Sequence, residues 1–111
     1  MSRKLHRQYT YRVTWLEKEK KHLGRCAEFP GFEAKSSSVA GAIMRLIKLI
    51  EAQIDSMIAQ GQKPPEPLIK RKYSGNFTIR TAPETHRKLA IKAAEQDVSL
   101  NHYVSNKLAD F

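Results

Sequence analysis

Cysteine is nearly absent: Cys26 stands alone, so no disulfide forms within the chain and a cysteine-based zinc site is not expected. The four histidines, His6, His22, His86 and His102, lie out of ligand spacing with one another and with Cys26, so no metal or cofactor is expected. No apolar run follows the charged start "MSRKLHRQ", so no secretory signal is expected. Long apolar stretches are also missing. The best one, Ile43 to Ile58, is interrupted by Arg45, Lys48, Glu51 and Asp55 and cannot cross a membrane. A cytoplasmic protein is the expectation. Acidic residues are scarce, 11 against 20 Lys and Arg, for a formal charge of +9. Such an excess favours an acidic partner: nucleic acid, an acidic protein or a membrane surface. It is spread along the chain, +5 over residues 1–69 and +4 over 70–111.

What remains is enough for a folded chain, since 41% of the residues are hydrophobic. Residues 9–16, "YTYRVTWL", alternate and are rich in β-branched and aromatic types, which predicts a strand. "EKEKKH" at 17–22 reads as a hairpin loop. "LGRCAEFPGFEAK" at 23–35 reads as a second strand, a turn at Pro30-Gly31 and a short third strand. Ser36, Ser37 and Ser38 offer an N-cap, and no partner residue marks them as nucleophiles. From Val39 the apolar period turns helical through Ile43, Leu46, Ile47, Ile50, Ile54, Met57 and Ile58, with Gly61 as the stop. In "GQKPPEPLIKRKYSG", three prolines stiffen the exit and Leu68 and Ile69 are placed to add an edge strand. The basic run Lys70, Arg71, Lys72 follows.

The last stretch reads strand, helix, turn, helix. Asn76 to Arg80 alternate polar and apolar. Thr81 and Glu84 suggest a capping box, with Pro83 in the first turn. Leu89, Ala90 and Ala93 fall on one helix face, Asp97 and Val98 turn the chain, and Ser99 caps a helix carrying Leu100, Tyr103, Val104 and Leu108. A lone strand leaves both edges unpaired, and so short a unit cannot bury much apolar surface. A dimer solves both problems. Two strands pair antiparallel, Phe77 and Ile79 point into a shared core with Leu89, Tyr103 and Val104, and Asn76, Thr78 and Arg80 point outward. A two-stranded ribbon fits the DNA major groove, where Arg reads a guanine edge, Asn an adenine edge, and Thr adapts or contacts a thymine methyl.

"NFTIRTAPETHRKLAIKAAEQDVSLNHYVSNKL" resembles a ribbon-helix-helix DNA-binding domain of the Arc/MetJ class. The resemblance implies base reading by Asn76, Thr78 and Arg80 and phosphate binding by the start of the second helix at Ser99, Leu100 and Asn101. Physics agrees, because a helix start offers free N–H groups and a positive dipole end. Lys70, Arg71 and Lys72 are either a further phosphate-contacting arm or a solvated linker.

The N-terminal part resembles the sheet domain of HicB-type antitoxins through Tyr11 to Val13, "EFPGF" at 28–32, the helix from Val39 and "KPPEP" at 63–67. It departs from that pattern at "EKEKKH" and at the helix entry "SSSVAGA". The resemblance implies an α+β chain. An antiparallel sheet with one long helix, of degenerate ribonuclease-H-like form, spans residues 1–69. A basic linker spans 70–74, and a ribbon-helix-helix dimerisation module spans 75–111. It also implies that the chain blocks a small HicA-type RNA-cleaving toxin and represses its own operon at operator DNA. The chain would act as a homodimer, with pairing of dimers into tetramers left open. A stand-alone ribbon-helix-helix regulator with a non-toxin partner or ligand is the alternative. A nuclease needs converging carboxylates. Glu17, Glu19, Glu28 and Glu33 show no sign of convergence, so no enzyme is expected.

Overall fold

The computed structural model describes residues 2–111, with side chains from Leu5 onward. The chain divides into two compact units, one ending at Tyr73 and the other beginning at Ser74. The first unit runs through a 3₁₀ segment at Ser2–Gln8, strands β1 (Tyr11–Leu16), β2 (Lys21–Cys26) and β3 (Phe29–Ser36), helix α1 (Val39–Ala59) and a short 3₁₀ turn at Leu68–Lys70. The strands form one antiparallel sheet in the order β1-β2-β3.

Helix α1 starts where the serines predict. The Ser38 hydroxyl accepts the Gly41 N–H at 2.9 Å. The helix ends in a Schellman motif at Gly61 (φ 75°), with the Gln62 N–H on the Met57 carbonyl at 2.7 Å and the Gly61 N–H on that of Ile58 at 3.0 Å. Its buried stripe is Ala42, Leu46, Ile50 and Ile54, narrower than the apolar pattern suggests. Val39 and Ile58, at the two ends, are exposed. Leu46, Ile50 and Ile54 are fully buried, each contributing about 1.5–3 kcal/mol. They pack on Tyr9, Cys26, Phe29 and Ala34. Phe29 meets Tyr9 and Phe32 edge-on, with ring centroids 5.5 and 5.8 Å apart. The helix lies close over β2 because of Gly24: a Cβ there would sit 3.2 Å from the Ala42 carbonyl oxygen.

Two expectations for this unit are overturned. The turn between β2 and β3 is Ala27-Glu28, with Cys26 opposite Phe29, and Pro30 and Gly31 lie inside β3. Pro30 is tolerated there because β3 is an edge strand and loses no ladder bond to the missing N–H. Leu68 and Ile69 form a 3₁₀ turn and add no strand. The Leu68 N–H that a ladder would use goes to the Glu28 carboxylate at 2.9 Å.

Glu28 is the clasp of the unit. Its carboxylate also accepts the Thr10 N–H at 2.8 Å and the Thr10 hydroxyl at 3.3 Å, and the Cys26 thiol lies 3.5 Å away. It thereby ties the β2–β3 turn to the entry of β1 and to the proline-rich exit. The Tyr9 hydroxyl donates to the Pro65 carbonyl at 2.8 Å and secures the same exit. Desolvation pushes the Tyr9 phenol up to about 12, so it stays a donor at neutral pH.

The second unit holds α2 (Pro83–Glu95) and α3 (Leu100–Leu108). The capping box is not formed. With Pro83 at the first helical position, Ala82 becomes the N-cap, and Glu84 lies 3.8 Å from Arg87 instead of reaching back to Thr81. Asp97 (φ 56°) closes α2 in a second Schellman motif, with the Val98 N–H on the Ala93 carbonyl at 3.1 Å and the Asp97 N–H on that of Ala94. The Ser99 hydroxyl caps α3 through the His102 N–H at 3.0 Å.

Candidate nucleic-acid interface

The second unit buries little of itself. Ala93 and Tyr103 are its buried side chains, the Tyr103 ring lying 5.6 Å beneath the Lys107 ammonium. Leu89, Val98, Leu100 and Val104 are half-buried, and Ala90, expected to face inward, is exposed. Phe77 is 72% exposed and Ile79 52%. Two hollows open beside them. One of about 680 Å³ is floored by Ile79, Leu89, Leu100, Val104 and Leu108 and rimmed by Arg80, Thr81, His86 and Lys107. The other, about 420 Å³, runs from Gly75, Asn76 and Phe77 past Ile79 to Asn101 and Ser105. Ile79, Leu100, Val104 and Leu108 line both, so one apolar face carries them.

Residues 76–80 join no strand in the single chain. A strand is defined by its ladder, and no segment among the described residues supplies one. The segment is nevertheless pinned at its start: Gly75 takes φ 87°, and the Ser74 hydroxyl accepts the Asn76 N–H at 3.0 Å. Asn76, Thr78 and Arg80 are all exposed, with Asn76 at the lip of the smaller hollow and Arg80 at that of the larger. Four of the five residues predicted for a shared core, Phe77, Ile79, Leu89 and Val104, are incompletely buried, whereas Tyr103 is already covered within its own unit.

The start of α3 has the electrostatics of an anion site. Ser99 satisfies the His102 N–H, and its carbonyl accepts from Tyr103, while the N–H groups of Leu100 and Asn101 have no acceptor among the described residues. Such amides at a helix start attract a phosphate. Lys70, Arg71 and Lys72 are exposed and belong to the first unit, where the Tyr73 hydroxyl donates to the Leu68 carbonyl at 3.1 Å. Formal charge is divided unequally. The first unit holds 15 basic and 7 acidic residues, +8, and the second holds 5 and 4, +1. The basic run at 70–72 makes the difference, since it belongs to the first unit and not to the helices that follow it.

The Glu28 carboxylate has its oxygens occupied by the Thr10 and Leu68 amides. Among the described residues no three His, Cys, Asp or Glu side chains gather closely enough to hold a metal ion. No helix among the described residues is long and apolar enough to cross a membrane. Sequence reasoning missed the clasp at Glu28, since its partners are backbone amides 18 and 40 residues away.

No curated protein and no solved structure matches the chain. The model of the HicB family matches residues 60–108, which take in the proline-rich exit, the extended segment and both helices of the second unit. Over those residues the chain is similar to the HicB family, and the stretch is separate from the sheet motifs at Tyr11 to Val13 and 28–32.

Proposed function

We propose that this chain is the antitoxin of a toxin–antitoxin pair and the repressor of the operon that encodes it. The sheet unit docks a small HicA-type mRNA-cleaving toxin and covers its RNA-facing surface. The inhibition is steric, and no bond is made or broken by this chain. The second unit pairs with its copy along residues 76–80, and Phe77 and Ile79 close on the apolar faces of α3 from both chains. Asn76, Thr78 and Arg80 of each strand then face the major groove, where each good bidentate contact contributes about 1–3 kcal/mol of discrimination. The Leu100 and Asn101 amides hold a backbone phosphate and fix the register of the ribbon.

The observation that carries this reading is the open apolar face of the second unit, with Phe77 and Ile79 exposed beside Leu100, Val104 and Leu108. An exposed apolar face of this kind marks an interaction surface, and pairing with a second copy covers it. The family match over the same residues supports it independently. The test is to mix the purified full chain with the product of the small reading frame beside its own. A stable complex that no longer cleaves RNA, and that still shifts DNA from upstream of the pair, is the expected result. Free toxin activity at excess antitoxin would overturn it.

A further inference from the structure

Strand β1 has a free edge. The Ala27 N–H donates to the Thr10 carbonyl at 2.9 Å, which sets the phase of the β1–β2 ladder. Arg12, Thr14 and Leu16 therefore turn their backbone groups toward β2, and Tyr11, Val13 and Trp15 turn theirs away from the sheet. Nothing in the described chain bonds to those outward groups. Leu68-Ile69, expected to add an edge strand to this sheet, forms its 3₁₀ turn instead. The opposite edge, on β3, is blunted by Pro30 and by an irregular register at Arg25/Cys26. On β1 no proline or bulge does the same.

The side chains say what this edge suits. Glu33, Arg25 and Arg12 stand in one row across β3, β2 and β1. They lie on the face away from α1, because Gly24 and Val13 occupy the helix side. Arg25 lies 3.3 Å from Glu33, whereas Arg12 faces Arg25 directly and has no acidic partner among the described residues. Like charges directly opposite destabilise a sheet, so the row is electrostatically incomplete at its open end. The unit around it carries +8. On the helix side, Tyr11 and Val13 are half-buried and Trp15 is 49% exposed, which leaves apolar surface for a neighbour.

We propose that the β1 edge receives an extended acidic segment of a partner protein as a fourth strand. An Asp or Glu on that strand stands opposite Arg12 and completes a row of acid, Arg12, Arg25 and Glu33, and apolar residues flank it beside Tyr11 and Val13. A second copy of β1 fits poorly. With Val13 opposite its own copy, antiparallel self-pairing through the outward groups sets Thr14 opposite Arg12 and brings the two Arg12 side chains onto a diagonal, and any register joins two units of +8. Nucleic acid supplies the charge but no strand to pair with. This inference rests on the sheet unit being a protein-docking domain, and its test needs no toxin, so it can fail while the antitoxin reading stands.

The test is amide hydrogen exchange by NMR on the full chain with two short capped peptides at millimolar concentration, one alternating Val with Glu and the other Val with Lys. The Glu peptide slows exchange at Tyr11, Val13 and Trp15 about tenfold, and the Lys peptide does not. Arg12→Glu reverses the preference, and Arg12→Gln removes it with the fold intact by circular dichroism. No slowing with either peptide, or equal slowing with both, overturns the proposal. Slowing that grows with protein concentration alone also overturns it, in favour of a second copy.

Discussion

Replacing Glu28 by Gln should loosen the whole sheet unit without touching its apolar core. The wild-type carboxylate binds the Thr10 and Leu68 amides at 2.8 and 2.9 Å. A hydrogen bond to a charged group contributes about 1.5–3 kcal/mol, toward the low end where one partner is solvent-exposed, as Thr10 is. Gln keeps one acceptor oxygen and turns an amide NH₂ toward the other donor, so a loss of about 2 kcal/mol is expected. For a unit of this size that corresponds to a melting temperature lower by roughly 10 °C. Trp15, the sole tryptophan, lies in β1 and reports this unit by fluorescence. The pH dependence sharpens the test. Desolvation pushes the Glu28 carboxyl up, but the backbone amides of Leu68, Thr10 and Glu28 itself, with the Cys26 thiol, outweigh it and hold it below its ordinary value. Its folded pKa thus lies below the unfolded one, about 4.3. The stabilisation is complete above that pH and fades as pH falls through the folded value. Wild type and Glu28→Gln should differ at pH about 7 and converge in acid. Equal stability at neutral pH, or a gap that persists in acid, would refute the clasp.

Three further outcomes are expected. Phe77→Ala should weaken the dimer by about 3–5 kcal/mol in sedimentation equilibrium while leaving the helicity of the monomer unchanged, because this ring is exposed in the single chain. Loss of monomer fold would place Phe77 in an internal core instead. Arg80→Ala should cost about 1–3 kcal/mol on operator DNA and much less on random DNA in fluorescence anisotropy, whereas equal losses would make it a phosphate contact. Gly24→Val should push α1 away from β2 and cost about 1–3 kcal/mol in urea unfolding, since the Ala42 carbonyl already lies 3.2 Å from where a Cβ would be; an unchanged midpoint would contradict the close packing there.

Much of the fold was legible because it is locally encoded. The Ser38 cap, the Gly61 stop and the Ser99 cap are short-range chemistry, and each appears where the residues predict it. Alternation marks β1 for the same reason. The failures share a different cause. Pro30-Gly31 carries the strongest turn signal in the chain, yet it lies in a strand, because an edge position removes the penalty on proline. Leu68-Ile69 has strand-like residues, but a carboxylate 40 residues earlier claims the first amide. Thr81 and Glu84 have capping-box spacing, and Pro83 shifts the helix start by one residue. In the candidate site, the apolar period of α3 was readable, whereas residues 76–80 are exposed throughout and join no strand. The free edge of β1 was not, since edge status depends on which strands pair.

The most direct measurement is growth of cells expressing the small reading frame adjacent to this one, alone, with the full chain, and with the full chain carrying Arg80→Ala. Arrest by the neighbour alone, with equal rescue by wild type and by Arg80→Ala, is the predicted result, because toxin neutralisation is assigned to the sheet unit and Arg80 to DNA. A harmless neighbour, or arrest that the full chain does not relieve, would contradict the account.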